Sequence, residues 1–230
     1  MKAIESLAVA TALVGVMLAA GPSYAQVCAP CSPYSLLVLV AQSIVPGTTD
    51  IGNHCDDCTT TVALPFPVFI YGQGPFTTVN LSSNGTAQFV SNISPSTNTC
   101  LPSPSHETTI FPHWDDLMTD AQPGCSAYPG GACGIFTSLS GGIFNIEWRA
   151  VYAAVPTAVA HFELRLFANE DNFTIVIGTL VGGGASATAG AQCDTGTVFH
   201  QFSCNTPMQN NTALVFFCPL PVELTGFTVE

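Results

Sequence analysis

The acidic block after Trp114 holds the side chains of this chain that are best suited to chemistry. Asp115, Asp116 and Asp120 follow one another at short spacing in a loop-like context. Hard oxygen ligands of this kind suit calcium, which accepts irregular geometry, although the spacing of an EF-hand loop is absent. The block therefore predicts a calcium site at these three aspartates or, as the alternative, a turn in which Asp115 and Asp116 cap backbone amides.

Residues around the acidic block bear on both interpretations, the calcium site and the turn. His113 is interpreted as a turn residue or as part of a calcium shell rather than as a base. Aromatic rings beside a calcium loop are typical of carbohydrate recognition, because sugar rings stack on them. The candidates for this role are Trp114, Tyr128 and Tyr152. A second acidic pair, Asp56 and Asp57, is interpreted as solvated loop charge.

Carboxylates also raise the question of catalysis. Asp115 with Glu147 or Glu163 has the chemistry of a glycosidase acid and base. Both glutamates alternate with apolar neighbours, so we expect them on an exposed strand face, paired with Arg149 and Arg165 in a cross-strand ladder. A Gly-x-Ser-x-Gly nucleophile elbow is absent from the sequence. We therefore predict that the chain has no catalytic residues and is not an enzyme.

The ten cysteines are even in number, which in an oxidising compartment predicts five disulfides. Cys125 and Cys133 flank a Tyr-Pro-Gly-Gly turn and are expected to pair, as are Cys193 and Cys204. The alternative is a four-thiolate zinc site, for which two C-x-x-C pairs have suitable spacing. We favour disulfides, because an exported chain tends to oxidise its thiolates. The cysteines are Cys28, Cys31, Cys55, Cys58, Cys100, Cys125, Cys133, Cys193, Cys204 and Cys218.

Export is predicted by the first 25 residues. An apolar stretch over 6–20 follows Lys2, and Ser23 and Ala25 place small residues where a signal peptidase cuts. The mature chain is then expected to begin at Gln26 and to be secreted, in an extracellular or cell-surface location. No later apolar run reaches the length of a membrane span, so we expect no membrane insertion of the mature chain.

Charge restricts the partners of the chain. It carries 3 Lys and Arg against 15 Asp and Glu, a net charge of −12. So few cations cannot neutralise a nucleic-acid backbone, and an anionic membrane surface would repel the chain. Only 8% of residues are charged, so the surface is expected to be rich in Ser, Thr, Asn and Gln. Such a surface suits an extracellular polymer, a glycan or like subunits as partners.

Short strand-like runs fill the chain after the signal, broken by many of its 20 Gly and 17 Pro. One run alternates strictly between apolar and polar residues from His161 to Leu166, which indicates a half-buried strand. Asn84-Gly85 is a strong tight-turn signal, and 169–172 reads as the turn of another hairpin. The pattern predicts an all-β fold, an antiparallel β-sandwich that is jelly-roll-like and disulfide-braced.

The predicted organisation has four parts: a signal peptide at 1–25, a cysteine-rich N-terminal segment at 26–59, a β-sandwich domain at 60–218 and a C-terminal tail at 219–230. The stretch 34–43 is apolar enough to be either a short helix or a strand. The apolar segment 214–227 has the character of a strand that could be donated to another subunit.

Four blocks of the sequence carry a resemblance: LPFPVFIYG at 64–72, VNLSSNG at 79–85, IFPHWDDL at 110–117 and FNIEWR at 144–149. In this order they resemble a β-sandwich module of bacterial secreted and surface proteins and are similar to nidogen-like extracellular domains. The resemblance implies an extracellular, non-catalytic module. The leading hypothesis is an adhesion or structural role at the cell surface or matrix. The alternatives are a calcium-dependent carbohydrate-binding module and a subunit of an extracellular filament.

Overall fold

The computed structural model describes residues 28–195 and 197–219, so the predicted signal peptide and almost all of the predicted tail lie outside the described residues. Within these ranges no helix is long and apolar enough to cross a membrane. Short 3₁₀ turns occupy 123–127, 129–131 and 181–184. The strands are β1 (Ser35–Val40), β2 (Thr49–Asp50), β3 (Thr59–Ile70), β4 (Gln73–Ser82), β5 (Ala87–Gln88), β6 (Thr109–Trp114), β7 (Leu117–Met118), β8 (Gly134–Ser140), β9 (Ile143–Tyr152), β10 (Val155–Phe167), β11 (Phe173–Leu180), β12 (Thr188–Gln192), β13 (Phe199–Cys204) and β14 (Thr212–Phe217).

The strands form two sheets. The larger has the order β1-β14-β11-β10-β9-β8-β2, with β7 also paired to β9, and the smaller has the order β13-β12-β6-β5-β4-β3. Neighbouring strands run antiparallel in both. Apolar side chains from both sheets share one core, and the indole of Trp148 donates to the carbonyl of Ser82 across it (2.9 Å). This architecture confirms the predicted disulfide-braced antiparallel β-sandwich.

The period-two pattern of β10 places its apolar face in the core. Phe162, Leu164 and Leu166 are buried, and the ring of Phe162 stacks on Trp148 at 5.2 Å between centroids. The turn predicted at 169–172 joins β10 to β11, which confirms that hairpin. Alternation therefore identified the inner face of the sheet correctly.

The opposite face of β9 and β10 is not exposed, so the prediction of an exposed strand face for Glu147 and Glu163 is wrong. The two glutamates lie directly opposite one another in the strand register, and their exposed fractions are 1% and 0%. Backbone of the segment before β2 contacts them: the N–H of Val45 donates to Glu163 (2.9 Å) and that of Gly47 to Glu147 (2.7 Å). A segment that the alternation pattern does not reveal therefore covers this face.

Each glutamate forms its predicted pair with an arginine, but the geometry differs from the expected ladder. Arg149 contacts Glu147 at 2.8 Å and Arg165 contacts Glu163 at 3.0 Å, each within one strand at i and i+2. Across the strands, Glu147 lies opposite Glu163. Its cross-strand polar contact is with His161, whose Nε2 lies 2.7 Å from the carboxylate of Glu147. The predicted cross-strand ladder is therefore wrong, because the register sets Glu147 opposite Glu163 and neither arginine opposite a glutamate.

The described part of the cysteine-rich N-terminal segment contributes strands to the larger sheet. β1 pairs with β14 and β2 pairs with β8, so this segment forms both edges of that sheet. The stretch that the sequence left open between helix and strand is the strand β1. Residues 214–217, proposed as part of a donated strand, lie in β14 between β1 and β11.

All ten cysteines are in disulfides, and the predicted pair Cys125–Cys133 is confirmed. The predicted pair of Cys193 with Cys204 is wrong. In the β12–β13 hairpin Cys204 lies opposite Thr188, whereas Cys193 follows Gln192 at the other end of the ladder. The zinc alternative does not hold either, because the four cysteines it needs are in three different disulfides. The remaining bonds are Cys28–Cys218, Cys31–Cys193, Cys55–Cys58 and Cys100–Cys204.

Asp171, in the turn between β10 and β11, anchors the N-terminal segment. Its fully buried carboxylate accepts hydrogen bonds from the N–H of Cys28 (2.9 Å), the N–H of Gly72 (2.6 Å) and the hydroxyl of Tyr34 (2.5 Å). Burial raises the pKa of Asp171, while these donated hydrogen bonds act in the opposite direction. One side chain thus ties three separate parts of the chain together.

We expect Asp171→Asn to destabilise the fold, because the amide NH₂ would face backbone N–H donors where an acceptor is needed. The expected loss in the free energy of unfolding is about 1–3 kcal/mol, measured by guanidinium denaturation of the oxidised chain. Glu170→Gln is the matched control, since Glu170 is exposed beside it, and should change stability by less than about 0.5 kcal/mol. Equal stability of the two variants would contradict the anchoring role.

Candidate functional site

The Asn84-Gly85 turn packs against the backbone that leads into the acidic block. Gly85 has φ +75°, and a Cβ at this position would overlap the carbonyl oxygen of His113. The N–H of His113 donates to the carbonyl of Gly85 (3.3 Å), and the N–H of Asp115 donates to that of Asn84 (3.4 Å). Two blocks of the resemblance, VNLSSNG and IFPHWDDL, are therefore in direct contact in the fold.

The side chain of Asn84 joins three loops. It is fully buried; its Oδ1 accepts from the N–H of Leu117 (2.9 Å), and its Nδ2 donates to Asp57 (2.7 Å) and to the carbonyl of Ser94 (3.2 Å). The sequence signal at this residue predicts only a tight turn. The positioning role was missed, because the same dipeptide already has a sufficient local explanation.

Asp116 belongs to an acidic cluster that differs from the predicted set. Asp56, Asp57 and Asp116 each place a carboxylate oxygen within 4.8 Å of the others. A bridge between Asp56 and Met118 of β7 brings the two loops together. Partial burial, and then the neighbouring carboxylates, raise the pKa of Asp56 and of Asp116. Asp56 and Asp57 are exposed, as expected of loop charge, but they meet Asp116 rather than standing alone.

Asp115 and Asp120 are occupied by other partners. Asp115 is 7% exposed; it accepts the hydroxyl of Ser186 (2.6 Å) and caps the N–H of Asp116 (2.9 Å), as the turn alternative describes. Asp120 accepts the side-chain amide of Gln122 (2.8 Å). The structure therefore does not bring Asp115, Asp116 and Asp120 together as one ligand set, because successive side chains of the loop point to different neighbours.

The three aromatic candidates for sugar stacking are inside the protein. The exposed fractions of Trp114, Tyr128 and Tyr152 are 2%, 6% and 9%. The rings of Trp114 and Tyr128 therefore offer no face to a sugar, and Tyr152 retains only a small exposed part. Their polar atoms bond within the protein, to the carbonyl of Pro95, the carbonyl of Ala150 and Nε2 of His113, respectively.

His113 is fully buried between the sheets. Burial lowers its pKa to about 3, so the ring is neutral at neutral pH. Its Nε2 lies 3.0 Å from the hydroxyl of Tyr152, and its ring packs against Phe162 at 5.2 Å between centroids. His113 is thus part of the core, and the cluster of potential metal ligands formed by the three aspartates does not include it.

A groove lies on the other side of the same loop. It has a volume of about 510 Å³ and is lined mainly by alanine and valine side chains of the β9–β10 hairpin and of 181–186, together with Tyr152 and Ser186. Val155 and Val181 are 52% and 50% exposed there. Because Asp115 bonds to Ser186 while Asp116 joins the acidic cluster, one short loop supports both the groove and the cluster.

Comparison with known families shows which family the chain belongs to. The family model described as NIDO related matches residues 40–216, from the last residue of β1 to the last residue but one of β14. The chain belongs to the NIDO-related family. No curated protein and no solved structure matches it. Membership in the NIDO-related family confirms the resemblance to nidogen-like extracellular domains, and together with the disulfides it indicates an extracellular location.

The close approach of Gly85 to His113 predicts a large cost for Gly85→Ala. Gly52 is a matched control: its φ is +79°, but no atom lies within 4 Å of the position of an added Cβ. Gly52→Ala should therefore cost only the backbone penalty of about 1–2 kcal/mol. Gly85→Ala adds a clash with backbone and should cost more than about 3 kcal/mol in the free energy of unfolding. Equal losses in guanidinium denaturation would show that the contact is not tight.

Proposed function

We propose that this chain is a secreted, non-catalytic module with an adhesion or structural role at the cell surface or in the extracellular matrix. The observation that carries the proposal is the burial of Glu147 and Glu163, the carboxylates that a glycosidase reading needs. Both accept hydrogen bonds from the backbone that covers them, and both hold an arginine. This burial and these contacts support a structural role for both carboxyl groups.

The protonation of these glutamates agrees with a structural role. Burial alone would raise the pKa of Glu147, but hydrogen bonds from His161, Arg149 and Gly47 hold it below its ordinary value. Glu147 is therefore ionised at neutral pH, and both of its carboxylate oxygens accept hydrogen bonds within the protein. Burial raises the pKa of Glu163, against the hydrogen bonds that it receives from Arg165 and Val45. Neither carboxyl has a free oxygen directed at solvent, as a general acid would need.

Surface chemistry and family support the same conclusion. The match to the NIDO-related family model spans both sheets and supports a nidogen-like extracellular module. With 8% charged residues and a net charge of −12, the chain presents a largely uncharged polar surface. Such a surface suits contact with an extracellular polymer, a glycan or like subunits, whereas so few cations do not suit recognition of phosphate backbones.

Binding of the oxidised chain to a panel of immobilised neutral and acidic polysaccharides and matrix proteins tests the adhesion role. We expect retention on at least one polymer, without release of reducing sugar ends. The reduced and alkylated chain, which lacks all its disulfides, is the control and should lose that retention. Sugar release that disappears in Glu147→Gln or Asp115→Asn would contradict the proposal and establish a hydrolase.

Calcium-dependent carbohydrate binding is the second candidate, and the convergence of Asp56, Asp57 and Asp116 favours its calcium-binding part. Calcium takes carboxylate oxygens in irregular geometry and is plentiful outside cells. A bound cation would also relieve the mutual repulsion that contributes to the raised pKa of Asp56 and Asp116. The ligand set proposed here replaces Asp115 and Asp120 of the sequence-based set with Asp56 and Asp57.

Thermal unfolding with calcium or with EDTA tests this set. At about ten times the dissociation constant, calcium should raise Tm by about 4 °C. Asp116→Asn should abolish this rise, while Asp120→Asn, which removes a neighbouring charge but no ligand of the cluster, should keep most of it. The rise should fade as the pH falls toward the raised pKa values of Asp56 and Asp116, because protons then compete for the ligands. Loss of the rise in Asp120→Asn alone would restore the sequence-based set, and no rise in the parent would remove the candidate.

A further inference from the structure

β1 is an open edge of the larger sheet. It pairs with β14 on one side, from Ser35 opposite Phe217 to Val40 opposite Thr212. Among the described residues no strand pairs with its other side. An edge of this kind presents backbone N–H and C=O groups that another strand can use.

Both faces of this edge are apolar. Leu37, Val38, Leu39 and Val40 are 50%, 45%, 38% and 62% exposed. Successive side chains of a strand point to opposite faces, so the four residues leave apolar surface on each side of the sheet. Folded proteins usually protect such edges with a charge, a proline or a bulge, and Ser35–Val40 contains none of these.

Charge identifies a second copy of this chain as the partner that this edge fits. The chain carries a net charge of −12, so most pairs of surfaces on two copies repel each other. The region around the edge is an exception: 29–49 and the neighbouring 211–219 contain no charged residue. The strand SLLVLV is also self-complementary, because antiparallel pairing with itself sets apolar side chains opposite apolar ones.

We propose that two copies of this chain pair through their β1 strands, antiparallel and around a two-fold axis, so that their larger sheets join into one continuous sheet. The isologous contact satisfies the outer backbone groups of both strands and sets the exposed leucines and valines of the two copies side by side. A pairing of two six-residue strands is smaller than a standard interface, so the association is weak and depends on protein concentration. The inference rests on the proposed structural role and names one surface and one partner for it.

Charge-swapped variants test the pairing by sedimentation velocity of the oxidised chain over a range of concentrations. The parent should shift toward twice the monomer mass as its concentration rises. Val38→Lys with Val40→Lys should weaken the dimer at least about tenfold, as should Val38→Glu with Val40→Glu, because like charges then meet across the axis. An equimolar mixture of the two variants should recover the dimer, which neither misfolding nor a general loss of hydrophobic surface would produce.

Two control pairs make the outcome specific. Val90→Lys with Leu139→Lys adds the same charge at residues that are 48% and 56% exposed elsewhere, and should leave the dimer unchanged. Val222→Lys with Leu224→Lys changes the C-terminal segment and should also leave it unchanged; loss of the dimer there would overturn the proposal in favour of that segment as the partner of β1.

A parent that stays monomeric at every concentration would overturn the pairing. A dimer whose stability is unchanged by the Val38 and Val40 substitutions would overturn it too. Polymer binding is measured separately on the same proteins, so the two proposals fail independently. A monomeric parent that still binds a polymer contradicts only the pairing. A dimer that binds no polymer in the panel contradicts only the adhesion role.

Discussion

The buried amide of Asn84 is the contact on which the 113–118 end of the sandwich depends. This position needs a side chain that both accepts and donates, because the N–H of Leu117 donates to it while Asp57 and the carbonyl of Ser94 accept from it. A carboxylate in its place would face the carboxylate of Asp57, and an apolar side chain would leave buried backbone groups unpaired. The adjoining Gly85 lets the turn approach His113 closely enough for this amide to reach its partners. The acidic cluster and the groove both follow from that approach, since the loop between them is held in place by it.

Buried carboxylates hold the N-terminal segment in place, as the amide of Asn84 holds the loops around it. This segment crosses the outer face of the larger sheet, and its backbone N–H groups need acceptors where water is excluded. Glu147, Glu163 and Asp171 supply them, and Arg149 and Arg165 balance the charge of the two glutamates. A chain with few charged residues thus places several of them inside. The surface that remains is correspondingly poor in charge, which is the condition under which apolar strands such as β1 can meet their own copies.

Local periodicity predicts the sandwich, the two hairpins and the inner face of β10, because these depend on neighbours in sequence. It cannot show that another segment covers the outer face, and for this reason Glu147 was expected in solvent. The same limit applies to the cysteines: a short loop predicts Cys125–Cys133, whereas Cys193 bonds to Cys31, 162 residues away. In the acidic block the sequence places Asp115 and Asp116 side by side, but adjacent side chains diverge, and the partners of Asp116 come from a loop far upstream. The family resemblance was predictable, since it rests on the order of blocks along the chain.

The disulfide between Cys28 and Cys218 has a mechanical consequence. It joins the first described residue to the last but one, with their Cα atoms 5.5 Å apart, so these two ends of the sandwich lie at one point. Tension applied along the polypeptide passes through this covalent bond and does not load the strands between the two cysteines. Unfolding under force would therefore require reduction of the bond first. Cys31–Cys193 closes a second loop just inside the first, so both bonds must be reduced before force can extend the residues between them.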